Sequence, residues 1–105
     1  MCVMKAVWMG VVAASALLVV GTAQASADLA KSSGCLNCHM VDKKLVGPAL
    51  KDIAAKYKAD PKAVDYLAGK IQKGSQGVWG PVPMPPNAKV NEADAKTLAQ
   101  WILTQ

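Results

Sequence analysis

The chain of 105 residues has no phenylalanine, no arginine, a single histidine and three cysteines. Each shortage excludes something. Without arginine there is no planar fork to clamp a phosphate or carboxylate through two hydrogen bonds; lysine offers only a point charge. All twelve basic residues are lysines, set against seven carboxylates, for a net charge of +5. From Lys31 to Lys96 they are spread along the chain with acids among them, whereas nucleic-acid readers concentrate their charge on one face. The composition therefore points to acidic protein partners and to no nucleic acid. The length allows one domain, which excludes barrels and doubly wound folds. No apolar run is long enough to span a bilayer: Ala6–Val20 is free of charge, but about 20 residues are needed.

That short run belongs to a leader. Met1–Lys5 carries one positive charge, Ala6–Val20 is apolar, and Gly21-Thr22-Ala23-Gln24-Ala25 ends in a small-x-small pattern. This is the layout of a secretory signal peptide. Residues 1–25 are expected to be removed, with cleavage after Ala27 as the alternative, leaving 26–105 as the working domain. Cys2 and Lys5 leave with the signal. The remaining protein is expected in the periplasm, without stable membrane insertion and as a monomer. Its only aromatics are Tyr57, Tyr66, Trp79 and Trp101. A core of Ala, Leu, Ile and Val at this size is marginal and calls for a staple.

Four helices can be read, and the fold class is all-α. Asp28 caps a short first helix that stops at Gly34. Pro48 suits the first position of a second, where Leu50, Ile53, Ala54 and Tyr57 share one face. Asp60-Pro61 opens a third, with Val64, Leu67, Ala68 and Ile71 repeating the spacing. Asn91 with Asp94 forms a capping arrangement ahead of Leu98, Trp101 and Ile102. Between Gly74 and Val90, glycines 74, 77 and 80 and prolines 81, 83, 85 and 86 forbid helix and sheet interior alike. Val78, Trp79, Val82 and Met84 are too apolar for a solvated linker, so this reads as a stiff, ordered loop with a task.

Both cysteines of the remaining domain and the one histidine fall within Cys35-Leu36-Asn37-Cys38-His39. C-x-x-C-H is the attachment signature of a c-type haem. Two thiols one helical turn apart can add to two vinyl groups on one porphyrin edge, and His39 is carried under the ring to bind iron. A structural zinc site fails for want of further Cys or His ligands. A thioredoxin-like pair lacks its βαβ setting. A disulfide here would close a tiny loop and leave His39 without a role. A lipoprotein acceptor at Cys35 would need an apolar residue where Ser32 stands. For the second axial position the choices are Met40, Met84, a lysine or an open site. Met40 is adjacent to His39 and cannot reach the other face of the ring. Met84, stiffened by proline on both sides, is the expected ligand.

C-L-N-C-H, then V-G-P-A-L (Val46–Leu50), then G-V-W-G-P-V-P-M-P-P-N (Gly77–Asn87) closely resemble the short monohaem class I cytochromes c of bacteria. The resemblance implies four helices around one covalent haem, the first and last crossing near Gly34 and Trp101. It implies that the Pro48 carbonyl accepts a hydrogen bond from the second nitrogen of His39, orienting the ring. It further implies that Asn87 donates to the Met84 sulfur and the Trp79 indole N–H to a haem propionate. Lys70, where a relative carries arginine, is a candidate for a second propionate contact.

The expected activity is electron transfer and not catalysis. With His39 and Met84 on iron no coordination position is open, and thioether ligation raises the potential. Electrons would pass through an exposed edge rimmed by Leu36, Leu45, Val46, Val82 and Pro83, with lysines further out, to larger redox proteins that act as donor and acceptor. Two other readings make distinct predictions. A gas sensor or haem enzyme would bind carbon monoxide, and a haem-free interaction module would be folded and colourless.

Overall fold

The computed structural model describes residues 23–105, so residues 1–22, most of the expected signal segment, lie outside the described region. Four helices follow one another: α1 (23–32), α2 (Leu50–Tyr57), α3 (Ala63–Lys73) and α4 (Glu92–Leu103). A 3-10 turn, Cys35–Asn37, follows α1. No strand occurs among the described residues beyond one isolated bridge, Ser75 with Met84. No helix among them is long and apolar enough to cross a membrane.

The first three helix starts differ from the sequence reading, each for a local reason, and the fourth agrees with it. Asp28 lies inside α1 instead of capping it, because the alanines before it continue the helix. The cap of α2 is Ala49 in an extended conformation, and Pro48 stands just outside the helix. Its first N–H groups are satisfied from elsewhere: Leu50 donates to the Met40 carbonyl at 2.9 Å and Lys51 to that of Val41 at 3.1 Å. Asp60 accepts from the Lys62 N–H through its side chain at 2.8 Å and from the Ala63 N–H through its carbonyl. That tight turn holds Pro61 ahead of α3, which begins at Ala63. In α4 the Asn91 side chain accepts from the Asp94 N–H at 2.8 Å, a regular N-cap.

Apolar spacing decides the packing. Leu50, Ile53, Leu67, Ala68, Ile71, Val90 and Ile102 form one core with Ala95, Leu98 and Ala99, which are wholly buried. α4 packs on α3 and α2, and its alanines allow close approach. Burial of a leucine such as Leu98 contributes about 1.5–3 kcal/mol, so losing it removes much of a small domain's margin. Ala30 brings α1 into the same core. The resemblance implied a helix crossing near Gly34, but no atom of α4 lies within 4 Å of a Cβ built there. A Cβ at Gly34 would meet only Asn37 Nδ2, at 3.5 Å; the glycine serves its left-handed φ of 82°.

Candidate functional site

The C-x-x-C-H segment folds as a single tight turn. The N–H groups of both Cys38 and His39 donate to the Cys35 carbonyl, at 3.3 and 2.9 Å. This stacks the two cysteines one turn apart, and both thiols are free and half-buried. Cys35 also packs against the core, and burial pushes its thiol above the usual range. Residues 40–49 then fold back over the histidine. The Gly47 N–H donates to the Cys38 carbonyl at 2.8 Å, and Pro48 presents its carbonyl to His39 Nδ1 at 2.8 Å. A carbonyl only accepts, so Nδ1 is the donor, and in the neutral imidazole the lone pair is on Nε2.

The loop after α3 positions Met84 by a different device. α3 stops at Gly74, whose φ of 82° and ψ of 179° belong to glycine alone. Ser75 and Met84 then exchange two backbone hydrogen bonds, Ser75 N–H to Met84 carbonyl at 3.0 Å and the reverse at 2.8 Å. Further on, Asn87 returns to the end of α3. Both its backbone N–H and its side-chain Nδ2 donate to the Ile71 carbonyl, at 3.0 and 3.2 Å. The Asn87 amide carries two hydrogens, so the expected donation to the Met84 sulfur falls to the second of them. The Ile71 carbonyl is one of those a helix end leaves without an internal partner, and the amide supplies it. Gln72 likewise donates to the Val90 carbonyl at 3.3 Å. The proline-rich segment is thus ordered and tied to α3.

Cys35, Cys38, His39 and Met84 line one open cleft of about 400 Å³. Its walls are Leu50, Ile53, Leu67, Ile71 and Ile102, drawn from three helices. Pro48, Lys70 and Trp79 also line it, and Asn87 does not. Trp79 is 39 % exposed, with the Lys56 ammonium 4.8 Å from its ring centre, so it is no core filler. The Lys70 ammonium lies 5.2 Å from the Tyr66 ring. Leu45, Val46, Val82 and Pro83 are exposed cleft residues; Leu36, expected on the same rim, is exposed but outside the lining. Met40 is exposed and away from the cleft. An apolar slot of this volume, with two free thiols, an imidazole of fixed tautomer and a thioether, fits a flat apolar macrocycle with an iron centre.

Sequence reasoning missed three features. Gly47 lies against the His39 ring, where a Cβ would come within 2.5–3.0 Å of three ring atoms. Its place in Val46-Gly47-Pro48, beside the proline already singled out, was the available hint. Tyr57 and Tyr66 pair at the cleft with ring centres 5.2 Å apart, a contact that no spacing within one helix reveals. Ser75 acts through its backbone, for which side-chain chemistry offers no signal.

Comparison with known proteins agrees with this architecture. The cytochrome c family model matches residues 23–105. The chain is 65% identical to cytochrome c-552 of Nitrosomonas europaea over 101 residues, covering 96% of this chain and 98% of that protein. It is 56% identical over 77 residues to cytochrome c-551 of Pseudomonas aeruginosa, 73% of each chain. The crystal structure of wild-type Nitrosomonas europaea cytochrome c552 superposes with a TM-score of 0.73 at 65% identity, covering 74% of this chain and 96% of that one. The fold, the cleft and these relatives together establish the chain as a member of the cytochrome c family, one of the small monohaem class I cytochromes that carry electrons on a covalent haem c.

Proposed function

We propose that this protein shuttles single electrons between larger redox proteins in the periplasm, its haem joined through Cys35 and Cys38 and its iron held by His39 Nε2 and Met84 sulfur. The observation that carries the reading is that His39, oriented by the Nδ1 contact to Pro48, and Met84, pinned by Ser75, line the same cleft as both thiols. The haem supplies a one-electron ferric/ferrous couple. The protein supplies everything that tunes and guards it. Pro48 holds the imidazole in one tautomer and strengthens it as a donor. The prolines around Met84 restrict the backbone and keep the thioether presented. Leu50, Leu67, Ile71 and Ile102 exclude water from the inner wall, which favours the less charged ferrous state. Trp79 and Lys70, which line the cleft, would receive the propionates.

Cleavage after Ala25 is part of the same proposal, since thioether attachment and the signal layout both belong to an exported protein. Partner recognition rests on the exposed apolar residues Leu45, Val46 and Val82 and on lysines. Among the described residues the only ion pair is Lys96 with Glu92, at 3.5 Å, so most lysines are available to an acidic face. Optical spectra of the exported protein test the ligation. A low-spin spectrum with the ferric methionine–iron charge-transfer band, unchanged by carbon monoxide, is expected. A high-spin spectrum that shifts with carbon monoxide would overturn it in favour of an open sixth position.

A further inference from the structure

We infer that Gly47 is a positioning residue for the haem ligand: it lies flat against the His39 imidazole and sets the orientation of the ring plane. This rests on the reading of His39 as an axial ligand. A Cβ built at Gly47 would stand 2.5 Å from His39 Cε1, 2.9 Å from Nδ1 and 3.0 Å from Nε2. Ordinary carbon contacts lie near 3.5–4.0 Å, so an alanine methyl would force a displacement of about 1 Å. The three nearest atoms all belong to the ring, so the closest contact is with the imidazole itself.

The backbone at Gly47 cannot take up that displacement easily. Its N–H donates to the Cys38 carbonyl at 2.8 Å, and its carbonyl accepts from the Leu45 N–H at 3.1 Å. The following carbonyl, of Pro48, is already engaged by Nδ1 at 2.8 Å. Two residues further, the Leu50 N–H is tied to the Met40 carbonyl at 2.9 Å. The Gly47-Pro48 pair therefore constrains the ring twice, by its edge through the hydrogen bond and by its face through the missing side chain. The hydrogen bond alone leaves the ring free to rotate about the Nδ1···O line; the face contact removes that freedom. Gly47 is outside the set of positive-φ glycines, which are 34, 74, 77 and 80. Alanine is thus compatible with its backbone, and any effect of Gly47→Ala arises from the methyl against the ring.

Ferric electron paramagnetic resonance and the spread of the haem-methyl proton resonances both depend on the direction of the imidazole plane. They should be measured on the haem-containing Gly47→Ala protein, with Gly69→Ala as control, since a Cβ at Gly69 meets nothing within 4 Å. The expected result is changed g-values and methyl spread in Gly47→Ala and wild-type spectra in Gly69→Ala; superimposable spectra in both variants would overturn the inference. Should Gly47→Ala fail to accumulate, the haem-containing His39→Ala protein supplied with free imidazole is compared with His39→Ala/Gly47→Ala. Imidazole is expected to bind the double variant at least about ten-fold more weakly, and equal binding would overturn the inference. His39→Ala without imidazole separates the two claims: retention of the wild-type low-spin spectrum would refute the ligation reading itself.

Discussion

Residues 35–48 hold His39 through contacts that close within the segment, whereas residues 74–90 hold Met84 through contacts that reach back into α3. On the histidine side, the Cys35 carbonyl, the Gly47 N–H and the Pro48 carbonyl all belong to one short loop. On the methionine side, the anchors are Gly74 and Ser75 at the end of α3 and the Ile71 carbonyl within it. The difference teaches where each proposed ligand is vulnerable. The histidine site is specified locally and should survive loosening of the helices. The methionine site depends on how α3 ends, and through α3 on the shared core.

Four experiments break or sharpen this contrast. The largest effect is expected from Met84→Ala, which removes the thioether and leaves the histidine loop intact. Its reduced form should bind carbon monoxide and its reduction potential should fall, both read by spectroelectrochemistry. Retention of the wild-type potential would place the second ligand elsewhere. Next comes Gly74→Ala, which demands a conformation available to glycine only and sets a methyl 2.5 Å from the Met84 carbonyl. The backbone term alone costs about 1–3 kcal/mol. Denaturant titration should show that loss, accompanied by weakening of the methionine–iron band while the histidine signals stay in place. If the histidine signals moved equally, the two sides would not be independent.

A smaller effect is expected from Asn87→Ala. It removes one side-chain hydrogen bond to Ile71 but leaves the backbone one, so a loss of about 0.5–1.5 kcal/mol follows. Thermal unfolding monitored at the methionine–iron band should register it, and an unchanged midpoint would show that the proline backbone suffices. The smallest concerns neither ligand. Burial, and then the neighbouring Tyr66 hydroxyl, hold the Tyr57 phenol above its ordinary value of 10.0. A phenol whose folded value is raised contributes its stability below the unfolded value and loses it as pH rises through the folded one. Wild-type stability should therefore decline above about pH 10, and Tyr57→Phe should flatten that decline. An identical alkaline profile in the variant would remove Tyr57 from the account.

Much of this contrast could be read from the chain before its structure. The histidine side was legible because its chemistry is contiguous: thiols and imidazole lie within five residues, at a spacing that one tight turn enforces, and the family resemblance added the Pro48 carbonyl. The helices were legible from apolar periodicity, as Leu50, Ile53 and Ala54 or Leu98 and Ile102 illustrate. The first three of their starts were not. Capping at Ala49 relies on carbonyls of Met40 and Val41, which only the folded loop brings near. The proline-rich segment announced order and a task, yet the Ser75–Met84 bridge is a backbone event to which side-chain identity is blind. Asn87 was legible only in part, for a related reason. Its amide carries two hydrogens, and the bond of one to the open carbonyl at the end of α3 exists only once the loop has folded back. Gly47 escaped because a missing side chain carries information only once its neighbour is known.

The most direct test of the account is a proton spectrum of the reduced protein with the Met84 methyl labelled with carbon-13. A thioether on the iron places that methyl over the macrocycle, where the ring current shifts it far upfield of ordinary methionines. The account predicts such a shift, absent from Met84→Ala. A label resonating in the ordinary methionine range would contradict the central claim that the loop tied to α3 delivers the second ligand.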